Sequence, residues 1–140
     1  MSSQTLSGIN VLDLTSYIAG PFGATLLGDL GANVIKVESP SGDMMRNYPS
    51  TLVGESRAYV GVNRNKRGIV IDLKSKDGLE VIRRLIKKSD VIVHNFRPGV
   101  SRRLGLEYEQ LIDINPKIIY CGLTGFGEKG PMAGNPGFDQ

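Results

Sequence analysis

The sequence predicts an α/β protein, a Rossmann-like parallel sheet with helices on both faces. Short apolar runs rich in valine and isoleucine alternate with amphipathic stretches along the 140 residues. The chain has 18 glycines, many of them at the ends of these segments, where tight turns are needed. Because the order strand, helix, strand repeats, neighbouring strands should be parallel and covered by their crossover helices.

Apolar runs set the predicted strands. They lie at residues 10–14, 33–38, 69–73, 91–93 and 117–123. Residues 59–62 could add a short strand ahead of a turn at 63–68. The stretch at 39–58 reads as a long loop, and loops of that length are usually functional or mobile.

The first predicted helix covers residues 20–30, because apolar residues recur there every four positions. That stripe consists of Ile18, Phe22, Leu26 and Leu30. Pro21 suits the first helical turn, and Gly31 can close the helix in a left-handed conformation.

A second helix follows Ser75 or Asp77, either of which can cap it. Its inward face should consist of Leu79, Ile82, Leu85 and Ile86. Two shorter helical segments are predicted at residues 100–104 and 107–112, and residues 124–140 read as a glycine-rich loop.

The charge distribution points to an anionic partner. Residues 57–103 hold 13 Lys and Arg against four Asp and Glu, although the whole chain carries only +3. Its aromatic residues are only Tyr59 and Phe96 and it has no nucleic-acid motif, so binding to nucleic acid is not expected. No apolar run is long enough to cross a membrane and no secretory signal is visible, so we expect a cytoplasmic protein that does not bind membranes.

Two single residues receive structural interpretations. Cys121 lies within an apolar run, so we expect a buried structural thiol rather than a nucleophile. His94 is the one histidine, so we expect an ordinary strand-end residue and no metal site.

The carboxyl ends of the predicted strands indicate where a ligand should bind, because ligands of open parallel sheets lie outside those ends. The first helix begins there, and helix N-termini favour anions. The neighbouring strand ends contribute Lys74, Asn95, Phe96, Arg97, Arg102 and Arg103. A phosphorylated, nucleotide-like ligand would fit this edge, although a solvated basic face would give the same pattern.

Neither of two common nucleotide motifs follows the first predicted strand. The first predicted turn reads Ile18-Ala19-Gly20-Pro21 rather than G-x-G-x-x-G, and no G-x-x-x-x-G-K-[ST] loop is present. A nicotinamide dehydrogenase or an ordinary NTPase is therefore not predicted.

Several long motifs in the same order resemble the class III coenzyme A-transferase family, which includes formyl-CoA transferase and carnitine CoA-transferase. The motifs are LSGINVLDLT, AGPFGATLLGDLGANVIKVE, SGDMMR, NRNKRGIVIDLK, NFRPGVSRRLGL, NPKIIYCGLTGFGEKGP and GFD. The resemblance runs from Leu6 to Gln140. The alpha-methylacyl-CoA racemases share the fold.

The resemblance implies that residues 1–140 are the N-terminal, CoA-binding part of the family's large domain, ending before the catalytic segment. Coenzyme A or acyl-CoA would be a substrate rather than a tightly bound cofactor. A carboxylic acid would be the acceptor, and the full-length protein would be an interlocked homodimer. The positions that match family CoA contacts are Ile18, Ala19, Ile71, Asp72, Leu73, Lys74, Asn95, Phe96, Arg97, Arg103, Pro136, Gly137, Phe138 and Asp139.

The resemblance also implies a mechanism, in which an aspartate attacks the donor thioester and an aspartyl-CoA thioester forms. We expect that aspartate beyond Gln140, since Asp139 belongs to the earlier GFD motif. No catalytic residue is therefore expected within the chain. The alternatives are a racemase-like enzyme, disfavoured because Phe138 replaces the racemase histidine, and an inactive CoA-binding fragment.

Two positions depart from formyl-CoA transferase. That enzyme has glutamine where this chain has Ile18, so oxalate and formate are doubtful substrates. It has arginine where this chain has Ser39, so one nucleotide contact is lost or supplied from elsewhere.

Overall fold

The computed structural model describes residues 4–51 and 53–137. Within these ranges the strands are β1 (Asn10–Leu14), β2 (Asn33–Glu38), β3 (Lys66–Val70), β4 (Val91–His94) and β5 (Ile119–Gly122). The α-helices there are α1 (Ala19–Asp29), α2 (Arg57–Gly61), α3 (Lys76–Ile86), α4 (Val100–Leu104) and α5 (Tyr108–Leu111), with a 3₁₀ helix at Met44–Asn47.

The described strands form one parallel sheet in the order β3-β2-β1-β4-β5. Leu12 in the central strand pairs with Ile35 on one side and Ile92 on the other. The chain moves outward from β1 in one direction, then returns to β4 and continues in the other. This reversal between β1 and β4 is the switch point of a Rossmann-like fold, so the predicted fold class is confirmed.

Alternating side chains divide the core between the two faces of the sheet. On one face, Val11, Val34 and Val93 pack with Ala24 of α1. On the opposite face, Leu12, Leu14 and Ile92 pack with side chains of α3 and α5, including Ile82, Ile86 and Leu111. Helices therefore cover both faces, as predicted.

Strand β3 lies three residues earlier than predicted. The apolar run at 69–73 suggested the strand, but the structure pairs Lys66 with Val34 and Val70 with Glu38. Because β3 is an edge strand with Ile69 and Val70 exposed, the ladder to β2 rather than apolar burial sets its register.

The possible strand at residues 59–62 was wrong, since residues 57–61 form α2. Ser56 caps this helix by accepting a hydrogen bond from Tyr59 N. Helix α3 is capped by Ser75, one of the two predicted caps, whose Oγ accepts from Gly78 N at 2.9 Å.

Helix α1 forms where predicted but buries its small residues instead of its apolar stripe. The stripe residues are each 44–48% exposed, whereas Gly20, Ala24 and Gly28 face the sheet. A Cβ on Gly20 would lie 2.5 Å from Thr15 Cβ, so the close approach of the helix requires glycine there.

Cys121 is exposed, which corrects the prediction of a buried thiol. It lies on β5, an edge strand whose Ile119 is also 62% exposed. In the part of the chain that the structure describes, no helix is long and apolar enough to span a membrane. The same residues contain no His, Cys, Asp and Glu cluster able to hold a metal ion.

Candidate functional site

Two adjoining cavities open at the carboxyl edge of the sheet, with volumes of about 530 and 560 Å³. Both are lined by Ser16, which follows β1, and by Phe96, which follows β4. These residues flank the switch point, where ligands of doubly wound folds bind. The sheet topology therefore places both cavities where the sequence predicted a ligand.

The first cavity lies between the end of β1 and the end of β4 and continues to the segment after β5. Its walls include seven of the predicted site residues, namely Ile18, Ala19, Asn95, Phe96, Arg97, Pro136 and Gly137. The predicted amino-terminal end of α1 thus borders this cavity.

The second cavity lies beside the ends of β2 and β3. Its predicted site residues are Ile71, Asp72, Leu73, Lys74, Phe96 and Arg103. The structure therefore brings together every predicted site residue that it describes, and their part in binding stays a prediction. Phe138 and Asp139 lie outside the described residues.

Positive side chains border both cavities without internal partners. Within residues 4–51 and 53–137, Lys74, Arg97 and Arg103 are exposed and form no ion pair. Arg97 borders the first cavity, and the other two border the second. Unpaired cations at a concave surface are suited to bind phosphate groups.

A buried cluster of charged residues supports the turn after β1. Asp13 and Lys36 are register partners in adjacent strands, yet each pairs with a different residue. Lys66 Nζ lies 2.8 Å from Asp13 Oδ2, and Lys36 Nζ lies 2.9 Å from Asp43 Oδ2. All four side chains are at most 2% exposed, and burial lowers the pKa of Lys66 while Asp13 opposes that shift.

These charged residues also hold the backbone of the turn. Lys36 Nζ donates to Thr15 O at 2.9 Å, and Asp13 Oδ1 accepts from Thr15 N at the same distance. Asp43 Oδ1 accepts from Tyr17 N at 3.3 Å. Tyr17 has a φ of +66°, a strained value for a residue with a side chain, so surrounding contacts must maintain it.

Glu38, the last residue of β2, is occupied by an internal network. Arg46 donates to it twice, at 2.7 Å for each bond, and Tyr59 Oη donates at 2.6 Å. Arg46 holds the pKa of Glu38 at about 2, against the opposing effect of burial. Dinucleotide-binding folds use an acidic residue in this region to bind ribose, whereas Glu38 anchors the 39–58 loop instead.

His94 positions Phe96, the aromatic residue shared by the cavities. Phe96 N donates to His94 Nδ1 at 3.3 Å, and the two rings stack with centroids 5.0 Å apart. Nε2 therefore carries the proton and donates to Tyr120 Oη at 2.5 Å. Burial lowers the pKa of His94, against the opposing charge of Glu107, so the imidazole stays neutral.

Two glycines form the outer wall of the first cavity by direct backbone contact. A Cβ on Gly125 would lie 2.6 Å from Gly137 Cα, and one on Gly137 would lie 2.5 Å from Gly125 Cα. Only glycine at both positions lets the segment after β5 cross the 135–137 segment this closely.

Sequence reasoning missed the supporting residues beneath the cavities. Asp13, Lys36 and Asp43 were not predicted, and His94 was assigned no particular role. A signal existed for the first two, because a charged residue inside an apolar strand must find a buried partner. Nothing local in the sequence identified Asp43 or Lys66 as those partners, since they lie on other segments.

Comparisons with known proteins agree with this geometry. The model of CoA-transferase family III matches residues 6–140. Human succinyl-CoA:glutarate CoA-transferase is 46% identical over 138 residues, which cover 97% of this chain and 32% of that protein. Acetyl-CoA:oxalate CoA-transferase of Acetobacter aceti is 45% identical over 133 residues, covering 94% and 34%.

A solved structure shows the same fold. The CAIB/BAIF family protein from Brucella suis superimposes with a TM-score of 0.93 at 41% identity, covering 99% of this chain and 38% of that one. The chain therefore spans about a third of the length of the relatives that it matches.

Proposed function

The chain belongs to CoA-transferase family III, and from that premise we propose that its full-length protein is an acyl-CoA:carboxylate CoA-transferase. The single observation that carries the proposal is the pair of adjoining cavities at the switch point, bordered by cations that form no ion pair with other described residues. Coenzyme A combines phosphate groups with a long, uncharged thiol arm, and this edge offers matching cationic and apolar surfaces.

In the proposed complex the second cavity receives the nucleotide end of coenzyme A. Arg103 and Lys74 border it and are free of ion pairs with other described residues, so they can meet phosphate oxygens. Asp72 contributes to this site through the backbone turn that it stabilises, because its Oδ1 already accepts a hydrogen bond from Lys74 N at 2.9 Å.

The first cavity receives the thiol arm and the acyl group. Ile18, Ala19 and Phe96 give it apolar walls, and the backbone at the start of α1 gives it donors. Arg97 stands at the same cavity and can contact either a phosphate or a carboxylate. Coenzyme A acts here as a substrate that comes and goes, without a tightly bound cofactor.

We place the chemical step on an aspartate outside residues 1–140, through the aspartyl-CoA thioester route that the family resemblance implies. The residues of this chain then bind and orient the thioester. Phe138 in the GFD motif has no ionisable group, so proton transfer of the racemase type is disfavoured. An interlocked homodimer of the full-length protein is part of the same proposal.

Calorimetric titration of the full-length protein with coenzyme A tests the proposal. We expect Arg103→Ala to weaken CoA binding about tenfold, because a charge-assisted bond to phosphate is lost. The effect should shrink at high salt. Arg102→Ala is the matched control, since Arg102 neighbours Arg103 on α4 but is not among the residues that line either cavity.

Two results would count against this function. Absence of CoA binding at millimolar concentration would end it, and equal losses in the two arginine variants would remove the assigned site. Deuterium exchange at the α-carbon of a 2-methylacyl-CoA, without any acceptor acid, would favour the racemase alternative instead.

A further inference from the structure

The side chain of Asn95, which follows β4, spans the switch point and forms hydrogen bonds with one residue that follows the neighbouring strand β1. Its Oδ1 accepts from Ser16 N at 2.9 Å, and its Nδ2 donates to Ser16 O at 2.8 Å. The two residues are 79 positions apart in sequence. The side-chain amide thus pairs with both backbone groups of Ser16, as a neighbouring strand would.

These two hydrogen bonds lie where the chain enters the turn that leads to helix α1. Ser16 lines both cavities, and the next residue is Tyr17 with its strained φ of +66°. Helix α1 begins directly afterwards and has no side-chain cap. The orientation of Ile18 and Ala19 in the first cavity therefore depends on contacts that hold the preceding turn.

The family resemblance predicted a direct CoA contact for Asn95. In the structure, the carbonyl oxygen and one amide hydrogen of its side chain instead form hydrogen bonds with Ser16. We propose that Asn95 is a positioning residue, which fixes the backbone of Ser16 so that the Ile18–Ala19 turn keeps its CoA-binding geometry. This inference rests on the proposed function and adds the means by which Asn95 serves it.

Two substitutions in the full-length protein separate positioning from direct contact. Asn95→Ala removes both bonds. Asn95→Asp keeps the acceptor for Ser16 N, but its carboxylate cannot donate to Ser16 O at neutral pH. When protonated, the aspartic acid regains a donor for Ser16 O. The carbonyl oxygen favours this protonated form, whereas Ser16 N favours the carboxylate.

The first measurement is amide hydrogen exchange without CoA. We expect exchange at Ser16 to be about tenfold faster in Asn95→Ala than in the wild type at the same pH. In Asn95→Asp the carboxylate repels Ser16 O, so we expect faster exchange than in the wild type at pH 8 and a return toward the wild-type rate as the pH falls to about 4. The second measurement is the Kd for CoA, expected to be about tenfold weaker in both variants at pH 8. Only Asn95→Asp should recover affinity at low pH.

Other titratable groups near the turn are common to both variants. They are Arg97 in the first cavity, Asp43 on Tyr17 N and His94 beside Asn95 in sequence. The comparison of Asn95→Asp with Asn95→Ala therefore removes their contribution.

Asn115→Asp is the matched control for a general loss of stability. Asn115 Nδ2 donates to Ile86 O at 3.0 Å and to Ser89 O at 2.8 Å, and these residues precede β4 at the opposite edge of the sheet. Like Asn95, Asn115 forms hydrogen bonds from its side-chain amide to the backbone, but it borders neither cavity. We expect unchanged CoA affinity for this variant.

Unchanged exchange at Ser16 in Asn95→Ala would overturn the inference, because the turn would then be held without Asn95. Weakened CoA binding in Asn95→Asp that did not recover at low pH, with normal Ser16 exchange, would show a direct contact instead. Failure of the wild type to bind CoA would end the proposed function, while the exchange measurement would still decide whether Asn95 fixes the turn.

Discussion

The two flanks of the sheet hold their carboxyl ends by different means. In the flank formed by β1, β2 and β3, ion pairs do this. Lys66 of β3 pairs with Asp13 of β1 in a buried contact, and the half-exposed Arg46 pairs with the buried Glu38 at the end of β2. In the flank formed by β4 and β5, a hydrogen bond between uncharged side chains joins the strands, as between His94 and Tyr120. One edge thus combines charged and neutral support on either side of the switch point.

This difference has a physical consequence for pH dependence. The stability contributed by an ion pair is lost when its carboxylate is protonated. The stability contributed by a buried neutral histidine is lost when its imidazole is protonated. In the first flank, the pair of Arg46 with Glu38 should therefore weaken as the pH falls from 4.5 toward 2, and the second flank should weaken as the pH falls below about 6.5. The predictions below test this contrast, beginning with the largest effect.

Lys66→Met should cause the largest loss of stability. Lys66 Nζ pairs with Asp13 and also donates hydrogen bonds to the carbonyl oxygens of Pro21 at 2.7 Å and Val62 at 3.1 Å. Removing it leaves a buried carboxylate without its cation, which costs about 3–5 kcal/mol of unfolding free energy. Urea denaturation measures the loss, and adding Asp13→Asn should recover part of it. A cost below about 1 kcal/mol would show that the buried pair contributes little.

Arg46→Ala should cost about 1–3 kcal/mol at pH 7, because Glu38 loses its charged partner and keeps only Tyr59 and Asp43 N. The folded-state pKa of Glu38 is about 2, below its ordinary 4.5. Its contribution is therefore complete above pH 4.5 and disappears as the pH falls toward 2. The difference between wild type and variant should shrink across that window. A difference independent of pH would contradict the ionic origin.

His94→Gln should change the stability profile below about pH 6.5. Burial lowers the folded-state pKa of His94, so the unfolded chain takes up its proton first as the pH falls below about 6.5. The wild type should lose up to about 1.4 kcal/mol per pH unit in this range, a slope that the variant lacks. Parallel profiles for the two proteins would show that His94 titrates normally.

Arg84→Ala should have the smallest effect and serves as an exposed reference. Arg84 pairs with Glu80 one helical turn away, and the two side chains are 73% and 54% exposed. Such surface pairs contribute about 0.3–0.5 kcal/mol. Thermal denaturation should show little change. A loss as large as that of Arg46→Ala would show that burial of the carboxylate, as in Glu38, does not strengthen a pair.

The predictable part of the fold was the part governed by local pattern. Asn10–Leu14 and Asn33–Glu38 were predicted to the residue, because a buried strand needs an apolar run. Strand β3 was misplaced because it is an edge strand, in which pairing with β2 outweighs burial. The α1 stripe predicted a helix but not its buried face, since the sheet accepts only small residues at that distance.

The candidate site divides in the same way. Motif order and the rule on strand ends named twelve of the residues that line the two cavities, between Ile18 and Gly137, and their part in binding stays a prediction. They could not show that the side chain of Asn95 faces Ser16, because these residues are 79 positions apart. Nor could they show that Arg46, only eight residues after Glu38, folds back onto it, because no local pattern sets that turn.

The order of apolar runs, caps and glycines by itself determined a parallel sheet and the edge at which its strands end, since these preferences act within a few residues of the chain. Tertiary structure alone decided which charges are buried together, which helix face meets the sheet and which side chain supports the turn after β1. Those choices depend on groups far apart in sequence, whose interaction energies exist only once the strands have paired.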